Sequence, residues 1–127
     1  MLDVERVDFV SLPVRDLPRA RAFYRETLGL PESTPEGFAY PEFETANVTL
    51  NLWRPEADGI EFAPSSGSVA LRVADVAAAR DRLEAAGVEF SGETRDTGVC
   101  HMAFFRDPDG NSLLLHRRYA PQSGEPA

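Results

Sequence analysis

The sequence predicts an α+β fold built from two tandem βαβββ modules, on three observations. Val10-Ser11-Leu12-Pro13-Val14-Arg15-Asp16-Leu17 is echoed 59 residues later by Val69-Ala70-Leu71-Arg72-Val73-Ala74-Asp75-Val76. Each run alternates, meets an Asp and passes into a helical pattern. After each helix the chain breaks into short β-prone runs punctuated by Pro, Gly and acidic residues. A half-length repeat in 127 residues means two copies of one motif, so a site is expected between them.

Taken in order, Val10, Leu12 and Val14 share one face of the first strand while Phe9, Ser11 and Pro13 share the other. The first set suits burial against a helix. That helix follows at once, with Asp16 as N-cap, Pro18 in the first turn where its missing donor is harmless, and Gly29 past the end. Leu17, Ala20, Phe23, Tyr24 and Leu28 fall at helical spacing and form its inner stripe, leaving Arg15, Arg19, Arg21 and Arg25 mostly in solvent. Gly37-Phe38-Ala39-Tyr40, Glu42-Phe43-Glu44 and residues 48–53 read as three short antiparallel strands.

Pro64-Ser65-Ser66-Gly67 is the expected linker. The second half repeats the order: a strand over 68–73, then a helix capped by Asp75 with Val76, Ala79, Leu83 and Ala86 inward and Gly87 ending it. Val88-Glu89-Phe90, 99–106 and 111–118 supply the last strands. Asp107-Pro108-Asp109-Gly110 predicts a tight hairpin turn, since Pro presets the first turn dihedral and Gly accepts positive φ. One domain is expected over 1–119, as modules of about 5–63 and 67–119, with 120–127 as a loose tail lacking large apolar side chains.

Thirteen basic against 21 acidic residues give a formal net charge of −8, which repels phosphate backbones and argues against nucleic-acid partners. Met1-Leu2-Asp3-Val4-Glu5-Arg6 lacks the basic-then-apolar order of a signal peptide, and no run approaches the roughly 20 apolar residues of a membrane span. No membrane association and a cytoplasmic location are therefore expected. The single Cys100 can form no intrachain disulfide and no thiolate cluster, and a free cysteine ordinarily packs as a small buried hydrophobe.

At this point the chain resembles the vicinal oxygen chelate superfamily, which holds glyoxalase I, extradiol dioxygenases, fosfomycin resistance enzymes and bleomycin resistance proteins. The resemblance is carried by Val14-Arg15-Asp16-Leu17 leading to Ala22-Phe23-Tyr24 and Leu28-Gly29-Leu30. It continues in Ala70-Leu71-Arg72-Val73-Ala74-Asp75 and Phe105-Arg106-Asp107-Pro108-Asp109-Gly110-Asn111, and spans about residues 5–119. It implies mixed sheets curled around a cleft, where the family's enzymes hold one divalent metal with four side chains from four strands. Matched to that pattern, the first position falls on Phe9 and the third on Ser68, by their spacing to Asp16 and Asp75. Counting from Asp109-Gly110 puts the fourth on Leu114. Aligning Val48-Thr49-Leu50-Asn51-Leu52-Trp53 with Asn111-Ser112-Leu113-Leu114-Leu115-His116 puts the second on Asn51.

Phe and Leu offer no lone pair, whereas such ions want imidazole, carboxylate or thiolate donors. No metal and no other cofactor is expected, and lyase or dioxygenase chemistry is disfavoured. A displaced site using both histidines, His101 and His116, with Glu42, Glu44 or Cys100 is the alternative.

The same positions suit an organic ligand. With strand alternation, Phe9, Ser11, Asn51, Trp53, Ser68, Ala70, Arg72, Leu114 and His116 face the cleft, apolar and aromatic surface with a few polar groups. Trp53 and His116 are equivalent in the repeat and would flank a planar ligand, each aromatic contact adding roughly 0.5 to 1.5 kcal/mol. Arg72 offers a bidentate fork to a carboxylate, phosphate or phenolate. Structural roles compete: Phe9 and Leu114 as core, Trp53 in a dimer interface, Arg72 paired with Glu42 or Glu44, His116 partly exposed near the chain end.

His116 and His101 are the candidate general bases. A Cys100–His101 pair has poor geometry, because adjacent strand residues point to opposite faces. The resemblance thus implies a metal-independent binder of a small aromatic molecule, like the bleomycin resistance branch, acting as a homodimer. The alternatives are a metal-dependent lyase, isomerase or dioxygenase, and a cofactor-free enzyme with a histidine base.

Overall fold

Short strands that alternate in polarity can bury only one side each, so each half needs one helix to cover it. In the computed structural model, which describes residues 1–121, the chain divides into two compact units, Met1–Ser65 and Ser66–Ala127. The boundary falls inside Pro64-Ser65-Ser66-Gly67. Among the described residues no helix is long and apolar enough to cross a membrane.

In the first unit, β1 (Phe9–Pro13) leads to α1 (Leu17–Ala22), whose N-cap Asp16 accepts a hydrogen bond from Arg19 N at 3.0 Å. The helix widens into a π-turn over Phe23–Thr27, closed by Leu28 N donating to Phe23 O at 2.9 Å. Ala20 and Tyr24 of the predicted stripe are fully buried, while Leu17, Phe23 and Leu28 are half-buried. Tyr24 meets Phe43 with ring centroids 5.9 Å apart, which sets the helix on the side of the sheet carrying Leu12, Phe43, Leu50 and Leu52, all buried. Each such side chain contributes roughly 1.5 to 3 kcal/mol of transfer free energy. Val10 was expected among them but is 37% exposed, at the outer end of an edge strand. Arg21 and Arg25 are half-exposed as expected, yet both pair with Glu32, Arg25 at 3.5 Å.

The strands after α1 are β2 (Glu42–Glu44) and β3 (Thr49–Trp53), in sheet order β1-β3-β2 with β1 and β3 parallel. Gly37-Phe38-Ala39-Tyr40 does not form the expected third strand. Pro35 O accepts from Phe38 N at 3.1 Å with Gly37 at φ +84°, so this segment turns. A positive φ at the third residue of a turn is what glycine permits. The outer edge of β2 is met instead by residues 31–33, through Ser33 N to Glu42 O and Glu44 N to Pro31 O.

The second unit contains β4 (Val69–Arg72), α2 (Val76–Ala85), β5 (Arg95–Asp96), β6 (Cys100–Arg106) and β7 (Ser112–Arg118), in order β4-β7-β6-β5. Asp75 caps α2 through Ala78 N at 3.0 Å, and Val76 and Leu83 are buried. Ala86 is exposed rather than inward, because the helix ends at Ala85 and the chain leaves it toward Gly87 at φ +93°. Val88-Glu89-Phe90 contributes one bridge, Phe90 to Phe105, and the fourth strand is β5. Ala120, at the start of the segment expected to be loose, donates to Val99 O at 3.1 Å. Residues 122–127 of that segment lie outside the described residues.

The two sheets share one register. Ser11 pairs with Asn51 as Ala70 pairs with Leu114, and Pro13 with Trp53 as Arg72 with His116. On the antiparallel side, Phe43 opposite Leu50 corresponds to Phe105 opposite Leu113.

The hairpin between β6 and β7 is closed by a buried carboxylate. Asp107 Oδ1 accepts from Asp109 N at 3.0 Å and Asn111 N at 2.9 Å, and Oδ2 accepts from Asn111 Nδ2 at 2.8 Å. Asp107 is 4% exposed and Asn111 fully buried, so Asp107→Ala strands donors away from water. We expect a loss of about 2 to 4 kcal/mol, read as a lowered urea midpoint with unchanged m-value. A loss under about 0.5 kcal/mol would mean that the turn chemistry alone holds the hairpin.

Candidate functional site

Because a helix covers one side of each sheet, alternation leaves the other side open in each unit. In the first unit this open face carries Phe9, Ser11, Asn51 and Trp53, together with Glu42, Glu44 and Thr49, which occupy the same register rows. Ser11 Oγ donates to Asn51 Oδ1 at 3.0 Å, and Trp53 Nε1 donates to Asp58 Oδ2 at 2.8 Å. The tryptophan's polar end is therefore satisfied while its ring stays half-buried on the face. Glu44 accepts from Thr49 Oγ1 at 2.8 Å and also from Ser33 Oγ. Phe9 is 60% exposed and does not pack as core.

In the second unit the open face carries Ser68, Ala70, Arg72, Leu114 and His116. Ser68 Oγ and Ser112 Oγ share a hydrogen bond of 2.6 Å. Leu114 is buried and His116 half-buried, and across β6 they face Phe104 and Met102. Arg72 is exposed, with no ion-pair or hydrogen-bond partner among the described residues.

His101 lies on the opposite, helix-covered side of this sheet. Its Nε2 is 3.4 Å from Asp96 Oδ2, its ring is 4.9 Å from that of Tyr119, and Tyr119 OH donates to Asp96 Oδ1 at 2.7 Å. His101 and His116 therefore cannot join in one site, and the displaced metal set that used both is not assembled. Among the described residues no three His, Cys, Asp or Glu side chains form a metal-holding group. Cys100 is buried with its Sγ 3.1 Å from Thr97 Oγ1, in keeping with a structural thiol.

The four positions that correspond to metal ligands do not fit a metal. Phe9 and Leu114 have no donor atom, and the oxygens of Asn51 and Ser68 are engaged with Ser11 and Ser112. Met102, Phe104 and Arg106 were missed from the sequence. Their signal was the hairpin turn at 107–110, which fixes the register of β6 against β7 and so names the residues opposite His116, Leu114 and Ser112.

The family model for the Glyoxalase/Bleomycin resistance protein/Dioxygenase superfamily matches residues 6–115, and the chain belongs to that superfamily. It is 33% identical over 128 aligned positions to an ethylmalonyl-CoA/methylmalonyl-CoA epimerase from Cereibacter sphaeroides, covering 88% of this chain and 96% of that protein. An antibiotic-binding protein from Streptomyces sp. CB03234 superposes with a TM-score of 0.77 at 28% identity, over 93% of this chain and 99% of that one. A glyoxalase/bleomycin resistance protein from the same strain superposes with a TM-score of 0.71 at 30% identity, over 89% and 100% of the two chains.

Glu44 gives the first unit's face its pH dependence. The Ser33 hydroxyl, then that of Thr49, hold its carboxyl below the usual range, aided by the charge of Arg6. A lowered folded value means stabilisation that is complete above the unfolded glutamate value of about 4.3 and is lost as pH falls through the folded value. Glu32, held down chiefly by Arg21, and Asp96, chiefly by Tyr119, act in the same direction. Glu44→Gln is expected to flatten part of the acid-side fall in Tm below about pH 4.3. An unchanged slope would assign acid lability to Glu32 and Asp96 instead.

Proposed function

We propose that this chain binds a small, largely aromatic organic molecule on its open sheet faces without a metal ion, sequestering it as drug-binding members of the superfamily do. The observation that carries this reading is the donor set: the four family ligand positions hold Phe9, Asn51, Ser68 and Leu114, and the two with oxygens are bonded to sheet neighbours. Each unit's own open face adds to this: Trp53 in the first, and Met102, Phe104 and His116 in the second, the mixture of aromatic, apolar and a few polar groups that suits organic ligands. The antibiotic-binding relative supports the same direction. The reading includes a homodimer. Val4, Val7 and Phe9 are more than half exposed beside or on the edge strand β1, where a second copy would cover them.

The identity to the epimerase favours a second reading, in which the chain is an enzyme. That chemistry needs a group to move a proton, and His116, on the open face next to Arg72, is the imidazole available for it.

Elemental analysis of untagged protein purified without chelators, paired with ligand screening by fluorescence, separates these readings. We expect less than about 0.1 transition-metal ion per chain, and quenching of the single tryptophan, Trp53, by aromatic ligands. Near-stoichiometric metal would overturn the donor assignment. Epimerase turnover abolished in His116→Gln would establish the second reading.

A further inference from the structure

The open face of the second unit carries charge of one sign. Across its four strands, Arg72 lies beside His116, His116 beside Met102, and Met102 beside Arg95. The next row is apolar, Ala70, Leu114 and Phe104, and Arg106 stands opposite Ser112 in the row beyond. The single acidic residue in β4, β5, β6 and β7, Asp96, lies on the other side with His101. This basic border stands in a chain of net charge −8. Two of its members have definite states: Arg95 lies over the Phe104 ring at 5.5 Å, and Arg72 has no protein partner among the described residues.

We propose that this face takes an aromatic oxyanion, its acidic group held by Arg72 and its planar body laid along the apolar row against exposed Ala70 and half-buried Phe104. The inference rests on the small-molecule reading above and adds the charge of the ligand. A guanidinium fork matches a carboxylate, sulfonate or phosphate in two parallel hydrogen bonds. A cationic ligand would meet Arg72, Arg95 and Arg106 with no carboxylate on the face to offset them. The acidic residues Glu42 and Glu44 belong to the open face of the other unit, so net charge alone misreads this one.

The test is calorimetric titration with three probes of one shape: 2-naphthoate, 2-naphthamide and 2-naphthylmethylammonium. We expect naphthoate to bind at least about tenfold more tightly than the amide, and the cation least of all. Arg72→Gln is expected to erase the preference for naphthoate and Arg72→Lys to restore part of it. Because Arg72 is exposed, neither change should move Tm by more than about 1 °C. Should the amide or the cation bind as well as naphthoate, or the preference survive both Arg72→Gln and Arg106→Gln, the anion assignment falls while small-molecule binding stands. If none of the three binds, both proposals fall.

Discussion

A parallel ladder joins the first strand of each unit to its last, β1 to β3 and β4 to β7, and no hairpin can make that connection. The chain must cross over, and it does so through a helix that lands on one side of the sheet. Once α1 and α2 are there, a period of two decides every other position: Leu12, Leu50 and Leu52 go beneath α1, while Ser11, Asn51 and Trp53 go to the open side. A slip of one residue in β3 would bury Asn51 and expose Leu50 and Leu52, so packing on one side holds the register of the other.

The open faces are consequently where chemistry can change without loss of the core. A divalent metal needs donors free to converge on one point. Here the two polar groups at the corresponding positions are bonded to sheet neighbours, Asn51 to Ser11 and Ser68 to Ser112. Such cross-strand bonds contribute modestly to stability, roughly 0.2 to 1 kcal/mol, and leave Phe9 and Trp53 beside two glutamates on one face and Phe104 among arginines on the other. Two further networks, Glu32 with Arg21 and Arg25, and Asp96 with His101 and Tyr119, each tie a loop or strand end in place.

Much of this was legible beforehand. Asp16, Asp75 and Gly87 marked the helix ends because capping is local chemistry, and Asp107-Pro108-Asp109-Gly110 marked its hairpin for the same reason. The face of each candidate followed from alternation, which placed Ser11 with Asn51 and Arg72 with His116. What failed depended on non-local pairing. Gly37-Phe38-Ala39-Tyr40 has strand-like composition, yet β2 found its partner at residues 31–33, a Pro-Glu-Ser run with little strand propensity. His101 and His116 looked like potential colleagues until pairing with β7 and β5 assigned His101 to the helix side.

The shared register has one interruption. The bridge from Glu32 to Phe43 closes a span of 11 positions, and that from Phe90 to Phe105 a span of 15. The longer span, four positions more, contains β5, which brings Arg95 to the edge of the basic face. Lengthening a surface connection adds little closure entropy, since even doubling a loop costs only about 0.6 kcal/mol. A repeated motif can thus carry an extra strand, and a further side chain at the border of its open face, while both halves keep the same core pairing. The two halves of this chain therefore differ in the length of a connector as well as in the residues on the face itself.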